Sequence, residues 1–312
     1  MALHIRNYLP GDEEKQAAIW NKAAASLPGY KPATAAEVAR RIRAKDFDAS
    51  LRFYALANGE TVGYCALQGS GRIGFPWCLP GHDVADALLD AAMTSCRARG
   101  MRRLFTAYRA DWTAQNAFFE KQGFVKAREM VNFAQGLLDL PTMVVRRGLN
   151  IGALKSTDIP DVVALAPSVL RLPVEQLENE WFHNSYYPAD SLFALRRTDN
   201  SIHGAGVLIN NADYANPLQI DAHAPCFRLG AFGTEGMSTK RVNGLFSLLL
   251  HDDADAMPVG LDLLSYVIGK LQDESIDTLA AQVPSDAKHL LAFYQRYFRR
   301  QGAFPIFERI LD

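Results

Sequence analysis

Cysteine is scarce in this sequence. Its four residues, Cys65, Cys78, Cys96 and Cys226, form neither a metal-ligand spacing nor a disulfide framework, so reduced thiols are expected. An excess of one charge is also missing. Against 34 acidic residues stand 33 basic ones, a formal net charge of -1, which gives no electrostatic reason to expect a nucleic-acid or anionic-membrane partner. No apolar run is long enough to span a bilayer and the opening residues do not read as a signal peptide, so cytoplasm is the expected location. The glycine-rich stretch 230–236 lacks the Gly-Lys-Ser/Thr ending of a phosphate loop. Gly69-Ser-Gly71-Arg-Ile-Gly74 has the letters of a dinucleotide fingerprint but leads into Phe75-Pro76-Trp77 instead of a helix, so it reads as a loop. Asp221, His223 and Cys226 lie close together without a second cluster, and no metal is expected.

What is present fits a soluble globular protein of about two domains: 312 residues, 49% hydrophobic and 21% charged. The chief positive signal is an ending that occurs twice. An aromatic helix runs into Gln-Gly and then Phe at Asn116-Ala-Phe-Phe-Glu-Lys-Gln-Gly-Phe124 and again at Tyr294-Gln-Arg-Tyr-Phe-Arg-Arg-Gln-Gly-Ala-Phe304. Gly123 and Gly302 each read as helix C-termini that need positive φ, each followed by a strand. A repeated closing unit implies a duplicated domain.

The rest of the pattern supports two copies. A short strand at 5–9 precedes a helix capped by Asp12, and a strand at 151–154 precedes Asp158 in the same way. Thr34-Ala-Ala-Glu37 is a capping box. Asn58-Gly59 joins strands 51–57 and 61–67 in a hairpin, and Thr198-Asp-Asn-Ser201 joins 192–196 to 203–209. A further short strand is expected at 73–77, and its counterpart is 242–250. Long helices are expected over 83–99, with Leu88-Leu89, and over 259–271, with Leu263-Leu264. Buried strands at 103–108 and 278–283 lead to the aromatic helices. The expected division is 1–140 and 141–312, with an inserted hairpin near 210–240.

This order of elements, with the tail Asn116-x-x-Phe119-Glu-Lys-Gln-Gly-Phe124, resembles the GNAT superfamily of acyl-CoA N-acetyltransferases, twice over. The resemblance implies an α+β fold with a mixed sheet in two tandem domains, acetyl-CoA as cosubstrate, and an amine of a small molecule or peptide as acceptor. It carries a cofactor site onto Trp77, Cys78, Gly81, His82, Asp83, Val84 and Ala85, where the strand meets the long helix, and onto Asn116 and Phe119 of the aromatic helix. In the family motif Arg/Gln-x-x-Gly-x-Gly/Ala, Pro80 stands at the basic position and Asp83 at the first Gly, so the cradle is eroded. In the second copy 255–260 overlies that motif and only Gly260 fits, beside Asp252 and Asp253. The family's proton-donating Tyr falls on Phe119 and Phe298, which have no proton to give. Tyr294, one turn before Phe298, is the candidate catalytic phenol, with Tyr297 and Tyr108 as others nearby. Two readings follow. One is an acyltransferase with its cofactor in the first copy, acting as a monomer or homodimer. The other is a degenerate binding or structural module that has lost acetyl transfer.

Overall fold

The computed structural model describes residues 3–43, 47–140, 150–170, 172–183, 190–209, 244–253, 255–271 and 278–311. The hairpin expected near 210–240, the cluster Asp221, His223 and Cys226, and Val144-Val145 lie outside them. By packing, the chain divides into a first unit, Met1–Ala127 with Phe304–Asp312, and a second unit, Arg128–Ala303.

In the first unit β1 (Leu3–Asn7), β2 (Arg52–Ala57), β3 (Glu60–Ala66) and β4 (Trp77–Cys78) form a sheet in that order. Helices α1 (Asp12–Ala23) and α2 (Ala35–Ile42) follow β1, and α3 (Ala85–Ala98) follows β4. Then come β5 (Arg103–Ala107), α4 (Thr113–Lys121) and β6 (Val125–Gly136). The second unit holds β7 (Asn150–Ala153), α5 (Ile159–Leu165), α6 (Val174–Phe182), β8 (Leu192–Arg196), β9 (Ile202–Ile209) and β10 (Gly244–Leu250). It continues with α7 (Ala256–Leu271), β11 (Thr278–Pro284) and α8 (Lys288–Tyr297), after which β12 (Arg299–Ile310) begins in the second unit and ends in the first.

The two terminal strands are exchanged. β6 pairs antiparallel with β11 through Thr278↔Gly136 to Pro284↔Met130. β12 pairs antiparallel with β5 through Ile306↔Ala107 to Ile310↔Arg103. The packing divides the chain elsewhere than between 140 and 141: most of β6 belongs to the second unit, and the last strand from Phe304 onward belongs to the first. Strand pairing, which no local pattern announces, sets these limits.

Local rules explain most elements. The Thr34 amide donates to Glu37 Oε2 at 2.8 Å and the Glu37 amide to Thr34 Oγ1 at 3.2 Å, the reciprocal bonds of a capping box. Asn58 and Gly59 both take positive φ, 52° and 87°, as a two-residue hairpin turn requires. Gly123 has φ 77° and ends α4, with the Phe124 amide bonded back to Phe119 O. Gly302 does not repeat this. The final helix stops at Tyr297, Phe298 is already extended, and Gly302 lies within β12. There the burial of Phe298 against Tyr294, 5.1 Å between ring centroids, and strand formation from Arg299 override the helical pattern.

The carboxylates at the start of each copy correspond closely. Asp12 is the first residue of α1, not its cap, which is Gly11. Its Oδ2 accepts from the Leu9 amide at 2.8 Å, and Asp158 Oδ2 accepts from the Lys155 amide, also three residues back, at 2.8 Å. Each meets an arginine at 2.6 Å, Arg6 from β1 in one case and Arg196 from β8 in the other.

Each sheet is buried on both faces. In the first unit Leu88, Leu89 and Phe119 fill one face, and Ile19, Trp77 and Trp112 the other. In the second unit Leu263, Phe293 and Tyr294 fill one face, and Ile159, Val162 and Trp181 the other. Side chains of this size contribute about 1.5–3 kcal/mol each on full burial.

Candidate active site

The site begins at a fork in the first unit. Just ahead of β4 the chain runs parallel to β5: the Ile73 amide donates to Phe105 O at 2.9 Å and the Phe105 amide to Gly71 O at 3.0 Å. Only glycine fits at 71, where φ is +84° and a Cβ would stand 2.4 Å from Arg103 O. Beyond this point the chain turns toward β3, with the Gly74 amide donating to Ala66 O at 2.7 Å and the Leu79 amide to Val62 O at 2.8 Å. The two strands part at Phe75, whose amide donates to the Tyr108 hydroxyl. Tyr108 is partly buried and stacks on Trp112 (5.5 Å, 21°) and on Phe119 (6.1 Å, 16°). Burial pushes its pKa up to about 12, while the Phe75 amide and the Thr106 hydroxyl favour the phenolate.

From the fork, 79–84 form a loop. The His82 amide closes a turn onto Leu79 O at 3.1 Å, and Gly81 takes φ +85° with open space where a Cβ would sit. The long helix starts at Ala85, two residues later than expected. Its cap is Val84, not Asp83, and no side chain caps it. The first helical bond runs from the Leu88 amide to Val84 O. The amides of Asp83, Ala85, Asp86 and Ala87 have no backbone acceptor among the described residues. Such amides, added to the helix dipole, favour an anion. Asp83 is exposed and works against it, while Asp86 accepts from Gln122 Nε2 at 2.7 Å. The Cys78 thiol donates to Pro76 O at 3.4 Å. Burial raises its pKa to about 11, with the Val84 amide opposing and Asp83 reinforcing the rise.

The remaining expected residues divide between the units. Trp77 is buried, 4.8 Å from the rings of both Trp20 and Phe75. Cys78, Val84 and Phe119 share one apolar cluster, and Phe119 is wholly buried as a core side chain. Asn116 is buried with its Nδ2 donating to Arg109 O at 2.9 Å, while its Oδ1 and Gln115 Oε1 have no hydrogen-bond partner among the described residues. Tyr294 belongs to the second unit. It is 1% exposed and stacks on Phe133 at 5.8 Å; burial raises its pKa, and its hydroxyl meets the backbone of Leu248.

The second copy has the same frame with a closed fork. Gly204 lies under Val259 and Leu263 as Gly63 lies under Val84 and Leu88, which sets the register between copies. In that register Ala256 matches Gly81, so α7 begins one helical turn earlier than α3. The Ala256 amide bonds to Asp253 O and the Val259 amide to Asp255 O, so the stretch that is loop in the first copy is helix here. Strands β10 and β11 pair in parallel at Gly244↔Leu279 and Leu245↔Ala280 and then part. Side chains of α8 fill the gap. His289 Nε2 donates to Leu250 O at 3.1 Å, its Nδ1 stands 3.0 Å from Asp252 Oδ1, and Tyr294 reaches Leu248. A Cβ on Gly260 would meet the Phe293 ring at 2.7 Å. Sequence reasoning missed His289; a histidine in the first turn of an aromatic helix was the available signal. A cavity of about 540 Å³ in this unit lies between the end of the β8–β9 hairpin and the start of α7, lined by Arg196, His203, Asp255, Pro258, Val259 and Asp262 among others.

Neither a family model nor a curated protein matches the sequence. Solved structures do. A GCN5-related N-acetyltransferase from Sphaerobacter thermophilus is 14% identical, with a TM-score of 0.64 over 99% of this chain and 95% of that one. One from Kribbella flavida is 16% identical at TM-score 0.49, covering 100% and 72%. A GNAT-family acetyltransferase from Colwellia psychrerythraea is 11% identical at TM-score 0.47, covering all of both chains. At such identities the likeness is one of fold, and the first comparison carries it. The chain has the fold of the GCN5-related N-acetyltransferases along its whole length.

Proposed function

We propose that this protein transfers an acetyl or other acyl group from acyl-CoA to an amine of a small molecule or peptide in the cytoplasm, and that the first unit holds the cosubstrate. One observation carries the assignment to this unit: the chain between β4 and α3 stays out of the helix at 79–84, while the matching stretch of the second copy is helical and its fork is filled. The loop gives Gly81 with room above it and amides at the helix start that suit a diphosphate. Asp83 weakens this attraction, so modest affinity is expected. The second unit acts as a noncatalytic partner copy, which keeps the module reading for that half alone.

In the acyltransferase reading catalysis is chiefly positioning of amine and thioester at the fork. Trp77 and Cys78 flank the fork, His82, Asp83, Val84 and Ala85 surround the anion locus, and Asn116 braces the loop after β5.

The test is thermal stability in millimolar acetyl-CoA, since a ligand that binds only the folded state raises Tm. Gly81→Asp places a carboxylate near the diphosphate. At about 6 Å it costs roughly 1–3 kcal/mol of affinity. Gly81→Asn carries the same left-handed backbone without the charge. The Tm rise should persist in the Asn variant and collapse in the Asp variant. No rise in the wild type, or an equal rise in both variants, would overturn the assignment.

A further inference from the structure

The cavity of about 540 Å³ in the second unit occupies a place that the first copy fills differently. Both hairpins slip register at the same point. Pairing runs from Ala55↔Gly63 to Leu56↔Thr61 in one and from Leu195↔Gly204 to Arg196↔Ile202 in the other, so Val62 and His203 are the extra residues of matching bulges. Val62 is 2% exposed and packs in the apolar core, whereas His203 lines the cavity. In the register set by Gly63 and Gly204, Asp255 stands where the first copy has Pro80, and Asp262 where it has Ala87. Three ionisable side chains thus line one cavity at positions where the sister copy has none.

The charge balance favours a cation. Asp158 neutralises Arg196 at 2.6 Å, and Arg197 is exposed at the hairpin end. The helix start offers little to an anion, because the Ala256 and Val259 amides are already bonded to the Asp253 and Asp255 carbonyls and Pro258 has no amide. His203 Nε2 lies 3.6 Å from Asp255 Oδ2, beyond hydrogen-bond reach, so the ring does not satisfy that carboxylate, which is 62% exposed. Among the described residues no three of His, Cys, Asp or Glu are placed to hold a metal ion. Asp255 and Asp262 line the cavity from the start of α7, about 10 Å apart along the helix axis, with Pro258 and Val259 between them. We infer that this cavity binds a linear aliphatic diamine, with one ammonium group at each carboxylate and the methylene chain over Pro258, Val259 and Leu195. Asp262 is buried and already held by the fold, but a carboxylate accepts at up to about four sites and can take a further N–H. The volume lies within the span of small-molecule pockets, about 300–1,000 Å³. The site belongs to the unit assigned no catalysis and does not rest on the acyl-CoA reading of the other.

The test is calorimetric titration of the full chain at pH 7, without acyl-CoA, using hexamethylenediamine, hexylamine and inorganic phosphate. The diamine should bind about tenfold or more tightly than hexylamine, the span of one charge-assisted hydrogen bond. Asp255→Asn is an isosteric change at an exposed side chain and leaves the fold intact. It should weaken the diamine about tenfold and bring it level with hexylamine. No heat with millimolar diamine, equal affinities of the wild type for the two amines, or an unaffected Asp255→Asn variant would overturn the inference. So would phosphate binding more tightly than the diamine, which would make the cavity an anion site built on Arg196 and Arg197.

Discussion

Asp12 offers the sharpest quantitative test of how the first unit is held together. The side chain is 1% exposed, accepts two bonds from Arg6 at 2.6 and 2.8 Å and one from the Leu9 amide at 2.8 Å, and has Lys15 at 3.5 Å. Burial works against its charge, yet Arg6, the Leu9 amide and Lys15 together leave its pKa below the ordinary 3.8. Asp12→Asn leaves the Arg6 guanidinium without its carboxylate. Breaking a buried pair from one side costs about 3–5 kcal/mol. Arg6 keeps 18% exposure and lies over the Tyr54 ring at 5.5 Å, so the lower end, about 3 kcal/mol, is expected. At a urea m-value of about 2 kcal/mol/M, this moves the midpoint by about 1.5 M. Tryptophan fluorescence is a suitable probe because Trp20, Trp77 and Trp112 lie in the first unit and only Trp181 in the second. The folded-state pKa is depressed, so the advantage of wild type over Asp12→Asn is complete well above pH 3.8 and is lost as pH falls through the folded value. A midpoint shift below about 0.3 M at pH 7, or a gap between the proteins that stays constant down to pH 2, would refute the reasoning.

Two further outcomes follow from the site. Gly71→Ala forces a Cβ toward Arg103 O, a backbone atom that cannot swing aside, at a φ of +84°. It should lower the stability of the first unit by about 2 kcal/mol or more and reduce acetyl-CoA binding by disturbing the fork, read as parallel losses in urea midpoint and Tm shift. A neutral Gly71→Ala would mean that the parallel pairing at the fork is dispensable. Tyr294→Phe removes one buried hydroxyl from the Leu248 backbone and keeps the stack on Phe133. The expectation is a loss of about 1 kcal/mol in the second unit with turnover unchanged. A large fall in kcat would return Tyr294 to catalysis.

The local features of this fold were legible because they are short-range physics. Thr34 and Glu37 cap each other, Asn58-Gly59 turns the hairpin, and Asp12 and Asp158 mark matching helix starts. The duplication was legible too, since the Leu88 and Leu263 register returns in the packing over Gly63 and Gly204. What escaped is long-range. The segments from Val125 and from Phe304 are both apolar strands after aromatic helices, and nothing within either says which β-strand it will pair with. Gly302 looked like Gly123, but pairing and the burial of Phe298 decide its backbone. The Phe75–Tyr108 bond joins groups 33 residues apart, and the His289–Leu250 bond spans 39. The difference between the two copies at the fork lies in such contacts.

The divergence of the two copies traces to a few residues at one helix start. In the first copy Gly81 takes φ +85°, a value incompatible with a right-handed helix, so no helix can propagate back past it. The chain is held as a loop until Val84. In the second copy the matching residue is Ala256, the best helix former, and the Asp253 side chain accepts from the Asp255 amide at 3.0 Å and so starts the turn. Pro258 is tolerated because it lies in the first turn, where its missing amide would have had no partner. The added turn takes into helix bonds amides whose counterparts in the first copy have no backbone acceptor among the described residues. Gly260 then lets Phe293 approach to a distance no side chain would allow, which seats α8 over the fork and brings His289 and Tyr294 onto the backbone of β10. Opening the second fork would therefore require more than one substitution. The extra turn, the Phe293 contact and the His289 bond support one another, whereas across the first fork the Phe75 amide donates to the Tyr108 hydroxyl.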